Sequence, residues 1–447
     1  MELKVFEILV DKNNLKGPWV FEHILIILHR VFEDFSKTTL FKQSDNQIAF
    51  SFEITKVANR IRFFIVSPKK YANFLSNQIY AHYSNVEIVE VWDYLKSIPN
   101  SKIQIWKIWL KKHSYFPIKS FTELQEEASK DMVDPFSSIT SSLSKTGKYT
   151  LNTFQVNFTP IRDSIWKKDS DKIIKIITSK SPDFIKKLLL SKYFIVFKIL
   201  VFPFILFWKL ISIFTKKDEE ESNSWEENDD SEEWVNKFLK NKLSLSGYKT
   251  SINIIHAWEE LVEWRSTIRE IYSTLWVFSY FWLNSFSLNQ IVTSDEEISN
   301  VKNRIVSWND ILSTNELSGL VHLPTSYVKT PQINWVSSRA FEPPSNLPII
   351  DPDLSDEVVP ENDLTPIWKT NFRWTNMSFW IWPSDRRRHV YIIGKTWMWK
   401  STLLENMIID DIKKWRWVAL IDPHGDSAEA VIWHIPKNRT NQVIIFD

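Results

Sequence analysis

Residues 4–10 form an apolar run and 20–32 an amphipathic stretch of helical period. Two alternating runs follow at 47–54 and 60–66, then a second helical stretch at 70–83 and a last apolar run at 86–91. That order predicts β-α-β-β-α-β, the pattern of a ferredoxin-like split βαβ lobe, over residues 1–95. Asn13-Asn14 and Ala58-Asn59 supply polar breaks at which the chain turns. The pattern starts again with an alternating run at 104–116, a helical stretch at 121–143 and an alternating run at 153–159. It resumes with a run at 249–255, a helix over 259–281 and a strand at 286–292. A second α+β lobe is therefore expected over 96–168 and 245–322, interrupted in its middle.

The interruption differs in composition. Residues 193–214 are overwhelmingly apolar, carry Lys198 and Lys209, and are broken by Pro203. Lys186, Lys187, Lys192, Lys216 and Lys217 flank them. Basic flanks around an apolar run predict contact of residues 185–217 with an anionic membrane surface. A single span would put the two halves of the second lobe on opposite sides of the bilayer. A re-entrant hairpin bent at Pro203 would keep them together, and an amphipathic or buried helix is the plainer alternative. Residues 218–240 read as an acidic linker, with ten acidic residues among the sixteen of 218–233. Eight prolines between Leu323 and Pro366 mark a second, extended connector over 323–366, and a new domain is expected over 368–447.

Charge narrows little: 55 Lys+Arg nearly cancel 54 Asp+Glu, so contact with nucleic acid would have to come from local patches. The absence of cysteine excludes disulfides, thiol chemistry and cysteine-ligated zinc. The nine histidines show no metal-ligand spacing, and the start of the chain lacks a secretory signal pattern, so it is expected in the cytoplasm. One pair of counts is anomalous. The chain has 6 Gly and 23 Trp, whereas average usage predicts roughly 31 Gly in this length. Many Trp letters would then stand for glycine, as when a gene that uses UGA for glycine is translated with a code reading it as tryptophan. The alternative is that the tryptophans are genuine. Positions that demand a left-handed backbone, where only glycine fits freely, distinguish the two.

Residues 389–426 carry the chemistry. A short apolar run at 390–393 predicts a buried strand, 401–414 a helix with Leu403, Leu404, Met407 and Ile408 on its apolar face, and 418–421 a second buried strand. Between the first strand and the helix lies Gly394-Lys395-Thr396-Trp397-Met398-Trp399-Lys400-Ser401. This matches the phosphate-binding pattern GxxxxGK[ST] at every fixed position except the second glycine, which is Trp399. With glycine at 397 and 399 it becomes GKTGMGKST, a complete Walker A. Side chains at those turns would fill the place of the anion that backbone N–H groups must wrap, so the literal chain is not expected to bind ATP. Trp415 and Trp417 fall where the helix end and the next turn also favour glycine.

The run DRRRHVYIIGKTWMWKSTLLENMIIDDI, with VALIDPHGD downstream, resembles the HerA/FtsK superfamily of hexameric DNA-pumping ATPases. Within it, the closest likeness is to conjugation and type IV secretion ATPases of the TraC-like and DNA-coupling kinds. The resemblance is strong over 385–447 and weaker over the N-terminal lobes. It implies an α/β RecA-like P-loop domain after the α+β lobes, with ATP and Mg²⁺ as cofactors and a homo-hexamer acting on DNA at the cytoplasmic face of the inner membrane with other secretion-system proteins. By position it implies Lys400 on the β- and γ-phosphates, Ser401 on Mg²⁺, and Thr402 beside the phosphates. Gly394, Lys395, Thr396, Trp397, Met398 and Trp399 would form the cradle. Asp422, His424, Gly425 and Asp426 match the family's DPHGE-like motif, with Asp426 shorter than the usual Glu. A Walker B acid and an arginine finger lie further downstream in the family, which makes this chain resemble a fragment. Arg386-Arg387-Arg388 reads either as a phosphate contact or as a solvated rim at a subunit interface. Two other classes fit the same residues: a membrane-anchored scaffold with a degenerate P-loop, and a secretion ATPase that moves protein or pilus subunits.

Overall fold

The computed structural model describes residues 2–38, 49–127, 134–147, 150–167, 229–257, 264–292, 294–306, 310–336, 342–344, 347–349, 364–370, 377–393 and 399–446. They fall into two compact units, Met1–Arg339 and Ala340–Asp447. The basic-flanked apolar segment lies outside the described residues, as does the acidic linker up to residue 228. Among the described residues no helix is long and apolar enough to cross a membrane.

The first unit is α+β, built on one large antiparallel sheet. Its first lobe runs β1 (Leu3–Val10), α1 (Pro18–Thr38), β2 (Phe50–Val57), β3 (Arg60–Pro68), α2 (Lys69–His82) and β4 (Val86–Val91). The strands lie in the order β4-β1-β3-β2, all neighbours antiparallel, as the β-α-β-β-α-β reading requires. Ala58 and Asn59 close the β2–β3 hairpin with φ of 48° and 63°. A two-residue turn with both residues left-handed matches the twist of the flanking strands.

The second lobe repeats the plan. It runs β5 (Ile103–Leu110), α3 (Phe121–Glu127), α4 (Phe136–Ser144), β6 (Leu151–Pro160) and α5 (Asp163–Trp166). After residue 228 follow α6 (Asp229–Ser244), β7 (Gly247–Ala257), α7 (Trp264–Thr274) and β8 (Phe286–Val292). The order β6-β7-β5-β8 is the first lobe's order again, and β2 pairs antiparallel with β6. The two lobes therefore share one continuous sheet, and one large core cluster, running from Phe6 to Ile333, draws on both. The interruption sits in the β6–β7 hairpin, at the position that Ala58-Asn59 fills in the first lobe. β6 and β7 stay in register from Leu151↔Ala257 to Pro160↔Tyr248. α8 (Asp295–Lys302), β9 (Asp310–Ser313) and α9 (Thr314–Leu320) complete the unit, with β9 pairing along the start of β7. A capping box between Ser313 and Glu316 starts α9.

Several boundaries differ from the sequence reading. The helix expected over 121–143 is two short helices, α3 and α4, and the one over 259–281 ends as α7 at Thr274, followed by a tight turn at Leu275–Phe278. The linker expected to run to 240 is helical from Asp229, because Leu239 and Leu243 bury against the unit. The Pro-rich connector does not begin at 323. Leu323, Val328 and Ile333 enter the core, and the backbone of Gln332 and Asn334 bonds to Ile61.

The second unit holds β10 (Thr365–Lys369), β11 (Ser378–Ile381), α10 (Pro383–Arg386), α11 (Lys400–Lys413) and α12 (Asp426–Ile432). α11 falls where the helix after the phosphate motif was expected. The two buried strands beside it do not form: residues 390–393 and 418–421 are irregular, and Tyr391, Ile393 and Ile421 are exposed. A parallel strand is stable when neighbours pair with it and helices cover both faces. Among the described residues of this unit β10 pairs with β11 in an antiparallel hairpin, and Ile349 adds an isolated antiparallel bridge to Phe379.

Candidate nucleotide-binding site

The site is assembled from the ends of two helices. α11 opens with Lys400, Ser401 and Thr402 in its first turn, and its N-cap residue, Trp399, makes no side-chain cap. A helix N-terminus carries the positive end of the dipole, the arrangement that favours an anion. The residue before it, Trp399, is left-handed, with φ 61° and ψ 11°, and its ring is 68% exposed. A left-handed backbone costs a residue with a Cβ about 1–2 kcal/mol, and this ring gains no burial in return.

α12 also follows a left-handed residue, though there the Asp422 carboxylate takes the first-turn N–H groups of Ser427 and Ala428. Its N-cap is Gly425, left-handed at φ 81°, with nothing within 4 Å of where a Cβ would sit. One of the two helix starts thus carries glycine and the other carries the letter Trp. The far end of α11 repeats the contrast. Arg416 N–H donates to the Asp411 carbonyl at 2.8 Å and Trp415 N–H to that of Ile412 at 3.3 Å, while Trp415 has φ 59°. This is a Schellman ending, whose left-handed residue is usually glycine. Trp417 does not share the feature: it is exposed but outside the left-handed region, so its backbone makes no demand for glycine.

Other tryptophans behave as tryptophans. Trp166 is buried, stacks on Tyr115 at 5.4 Å and donates its indole N–H to Leu245, and Trp106 is buried in the main core.

The loop before α12 docks on α11. Asp422 accepts backbone N–H bonds from His424 at 3.1 Å, Ser427 at 2.9 Å and Ala428 at 3.2 Å. These donors, His424 foremost, hold its carboxyl below the usual carboxylate range. Ser427 Oγ donates to Glu405 Oε1 at 2.8 Å, and Glu405 lies one turn beyond Ser401 on the same face of α11. Asp422 therefore organises the turn into α12, and Asp426 is exposed in the first turn of that helix. Glu405 was not singled out in the sequence, since its tie to Ser427 spans two helices that no motif connects. Gly394, Lys395, Thr396, Trp397 and Met398 lie outside the described residues.

The triple arginine divides. Arg386 forks onto Asp411, at 2.7 and 2.6 Å, and bonds Thr365. Arg416 adds a third bond to Asp411 at 3.0 Å. Burial pushes the Asp411 carboxyl up, but Arg386 and Arg416 outweigh it and hold it below the usual range. Arg387 and Arg388 are exposed.

A family model described as "Domain of unknown function (DUF8128)" matches residues 14–189, less than half of the chain, from within the first lobe to beyond β6. No curated protein matches the chain.

Proposed function

We propose that this chain is part of a P-loop ATPase of the HerA/FtsK type that moves DNA in conjugation or type IV secretion. On this reading it works as a homo-hexamer at the cytoplasmic face of the inner membrane, with other secretion-system proteins as partners and with ATP and Mg²⁺ as cofactors. The observation that carries the reading is the left-handed residue 399, set directly before Lys400 and Ser401 at the start of α11. In the phosphate-binding pattern that residue is glycine, and a Cβ there would compete with the anion for the backbone N–H groups. The donor set suits a nucleotide: Lys400 would neutralise phosphate charge, and the Ser401 hydroxyl would hold Mg²⁺, which supplies further neutralisation of the transferred phosphoryl group. Gly394, Lys395, Thr396, residue 397 and Met398 would continue the cradle, with Thr402 beside it. Asp422 shapes the turn that leads into Asp426 at the start of α12, and both would be the acidic groups facing the nucleotide. DNA as the substrate rests on the family resemblance, and an α/β RecA-like sheet on the same ground.

The test is the mass of the tryptic peptide Thr396–Lys400 from protein made in its native host. Thr-Gly-Met-Gly-Lys establishes an intact cradle, whereas Thr-Trp-Met-Trp-Lys removes the basis for ATP binding. With glycine present, DNA-stimulated ATP hydrolysis by the complete gene product, abolished by Lys400→Ala, is the expected activity. Hydrolysis that ignores DNA at every salt concentration would favour a motor for protein or pilus subunits.

A further inference from the structure

The connections of the second lobe gather at one end of the sheet. β6 leaves the sheet at Pro160 opposite Tyr248, near the start of β7, and β5 ends at Leu110 opposite Phe286, the first residue of β8. In the first lobe the hairpin turn matching β6–β7 is Ala58-Asn59, at the opposite end.

The gathered end is apolar where it meets solvent. Phe281 is 86% exposed and Trp282 72%, and Trp276, Val277 and Ile165 are exposed as well. Large apolar side chains held out together mark an interaction surface. Their supports are continuous: Phe281 meets Trp282 edge-on at 4.7 Å, and Lys112 Nζ donates to the Trp282 carbonyl at 2.7 Å. His113 then stacks on Tyr115 at 4.5 Å, and Tyr115 on Trp166, the neighbour of Ile165.

The rim is basic. Lys111 and Lys112 are exposed; Glu127, Asp163 and Glu316 are matched by Lys119, Lys167 and Lys242, at 2.8, 2.8 and 2.9 Å, while Glu123 bonds Ser120 and lies against Tyr280. α5 and the far end of α6, which flank the interrupting segment in the chain, meet here. Trp166 and Leu245 are bonded to each other.

We propose that this end of the first unit, centred on Phe281 and rimmed by Lys111 and Lys112, lies on an anionic lipid bilayer. The inference deepens the membrane reading above and rests on it. Aromatic rings settle at the headgroup level, and lysines there gain from anionic lipid. Glycine at 276 and 282 would leave Phe281, Val277 and Ile165 in place.

The absence of cysteine allows a direct test. The full chain carries one cysteine, at Phe281→Cys or at Ser84→Cys, labelled with an environment-sensitive fluorophore. Ser84 is exposed just before β4, at the opposite end of the sheet. Flotation is measured with phosphatidylcholine vesicles, with and without phosphatidylglycerol. We expect flotation with the anionic vesicles, a blue shift and protection from an aqueous quencher for the label at 281, and neither for the label at 84. The variant Lys111→Glu should bind the anionic vesicles roughly fivefold or more weakly, with thermal unfolding unchanged. A chain that floats while the label at 281 stays as quenchable as that at 84 overturns this surface and leaves the membrane reading standing. Equal binding to both vesicle types overturns the anionic assignment. Failure to float with either overturns the surface and the membrane reading together.

Discussion

The indole N–H of Trp166 donates to the carbonyl of Leu245 at 3.3 Å, joining residues 79 positions apart on either side of the interrupting segment. The ring fills a small cluster with Ile161 and Leu243, and its Cδ1 lies 3.1 Å from where a Cβ on Gly247 would sit. Glycine at 247 and tryptophan at 166 are thus two halves of one contact. Trp166→Ala should cost about 3–5 kcal/mol, the range for emptying a buried aromatic site, read as a lower urea midpoint. A variant that unfolds like the parent would show that the interrupting segment does not need this closure.

The left-handed positions predict the opposite sign. In protein expressed with tryptophan at every such codon, Trp399→Gly and Trp415→Gly should each stabilise the second unit, by about 1–2 kcal/mol from relieved backbone strain. The Arg439 guanidinium packs 5.1 Å from the Trp415 ring, and glycine there gives up that packing, so the gain at 415 should be the smaller. Thermal unfolding decides: loss of stability at both positions would mean that the rings contribute and the glycine reading is wrong.

Legibility followed the kind of signal. The first lobe could be read whole, because its strands are short apolar runs set off by helical stretches and turn residues, and β1 and β3 are buried on both faces along most of their length. The second was readable only in pieces, since Pro160 and Tyr248 are partners in space but lie far apart in the chain. That the two lobes share one sheet left no trace in periodicity: it depends on β2 pairing with β6, and the residues facing each other there, such as Glu53 and Gln155, carry no pairing code. At the site, the motif spacing placed Lys400 and Ser401 at a helix start, while the roles of Asp411 and Glu405 depend on partners distant in sequence. The apolar runs at 390–393 and 418–421 misled because such a run reports hydrophobicity, and a strand also needs a neighbour.

A buried ion cluster against the sheet has a definite pH signature. Arg304, left-handed at φ 57°, bonds Glu53 at 3.0 Å and also reaches Asp93, and both Arg304 and Glu53 are fully buried. Burial pushes the Glu53 carboxyl up. The Arg304 charge, with hydrogen bonds from Arg304, Gln155 and Tyr94, outweighs it and brings the group below its ordinary value of 4.5. A lowered folded pKa contributes stability that is present above the unfolded value and lost as pH falls through the folded one. The parent should therefore lose stability on acidification below about pH 4.5. Arg304→Gln leaves a buried carboxylate without its cation, costing about 3–5 kcal/mol at neutral pH. It should also reverse the slope, since a carboxyl whose folded pKa is raised is most favourable when protonated. Urea unfolding at pH 4 and pH 7 would reveal it, and a parent-like slope in the variant would remove Glu53 as the titrating group.

The arginines before the phosphate motif should separate into structural and functional members. Arg386 is committed to Asp411 by two bonds, and that carboxylate is buried, so Arg386→Ala should destabilise the second unit by about 1.5–3 kcal/mol, the range for charged hydrogen bonds. Asp411→Asn should act in the same direction, because it weakens the Arg416 bond as well. Arg387 and Arg388 are exposed, so their removal should leave unfolding unchanged. If the complete protein is a DNA motor, Arg387→Ala and Arg388→Ala should weaken DNA binding across sequences. Removing one arginine that neutralises a DNA phosphate would reduce the slope of log affinity against log salt by about 0.9. Should Arg386→Ala abolish DNA stimulation with its unfolding unchanged, the assignment reverses: the grip on Asp411 would be a resting contact that Arg386 leaves in order to hold a phosphate.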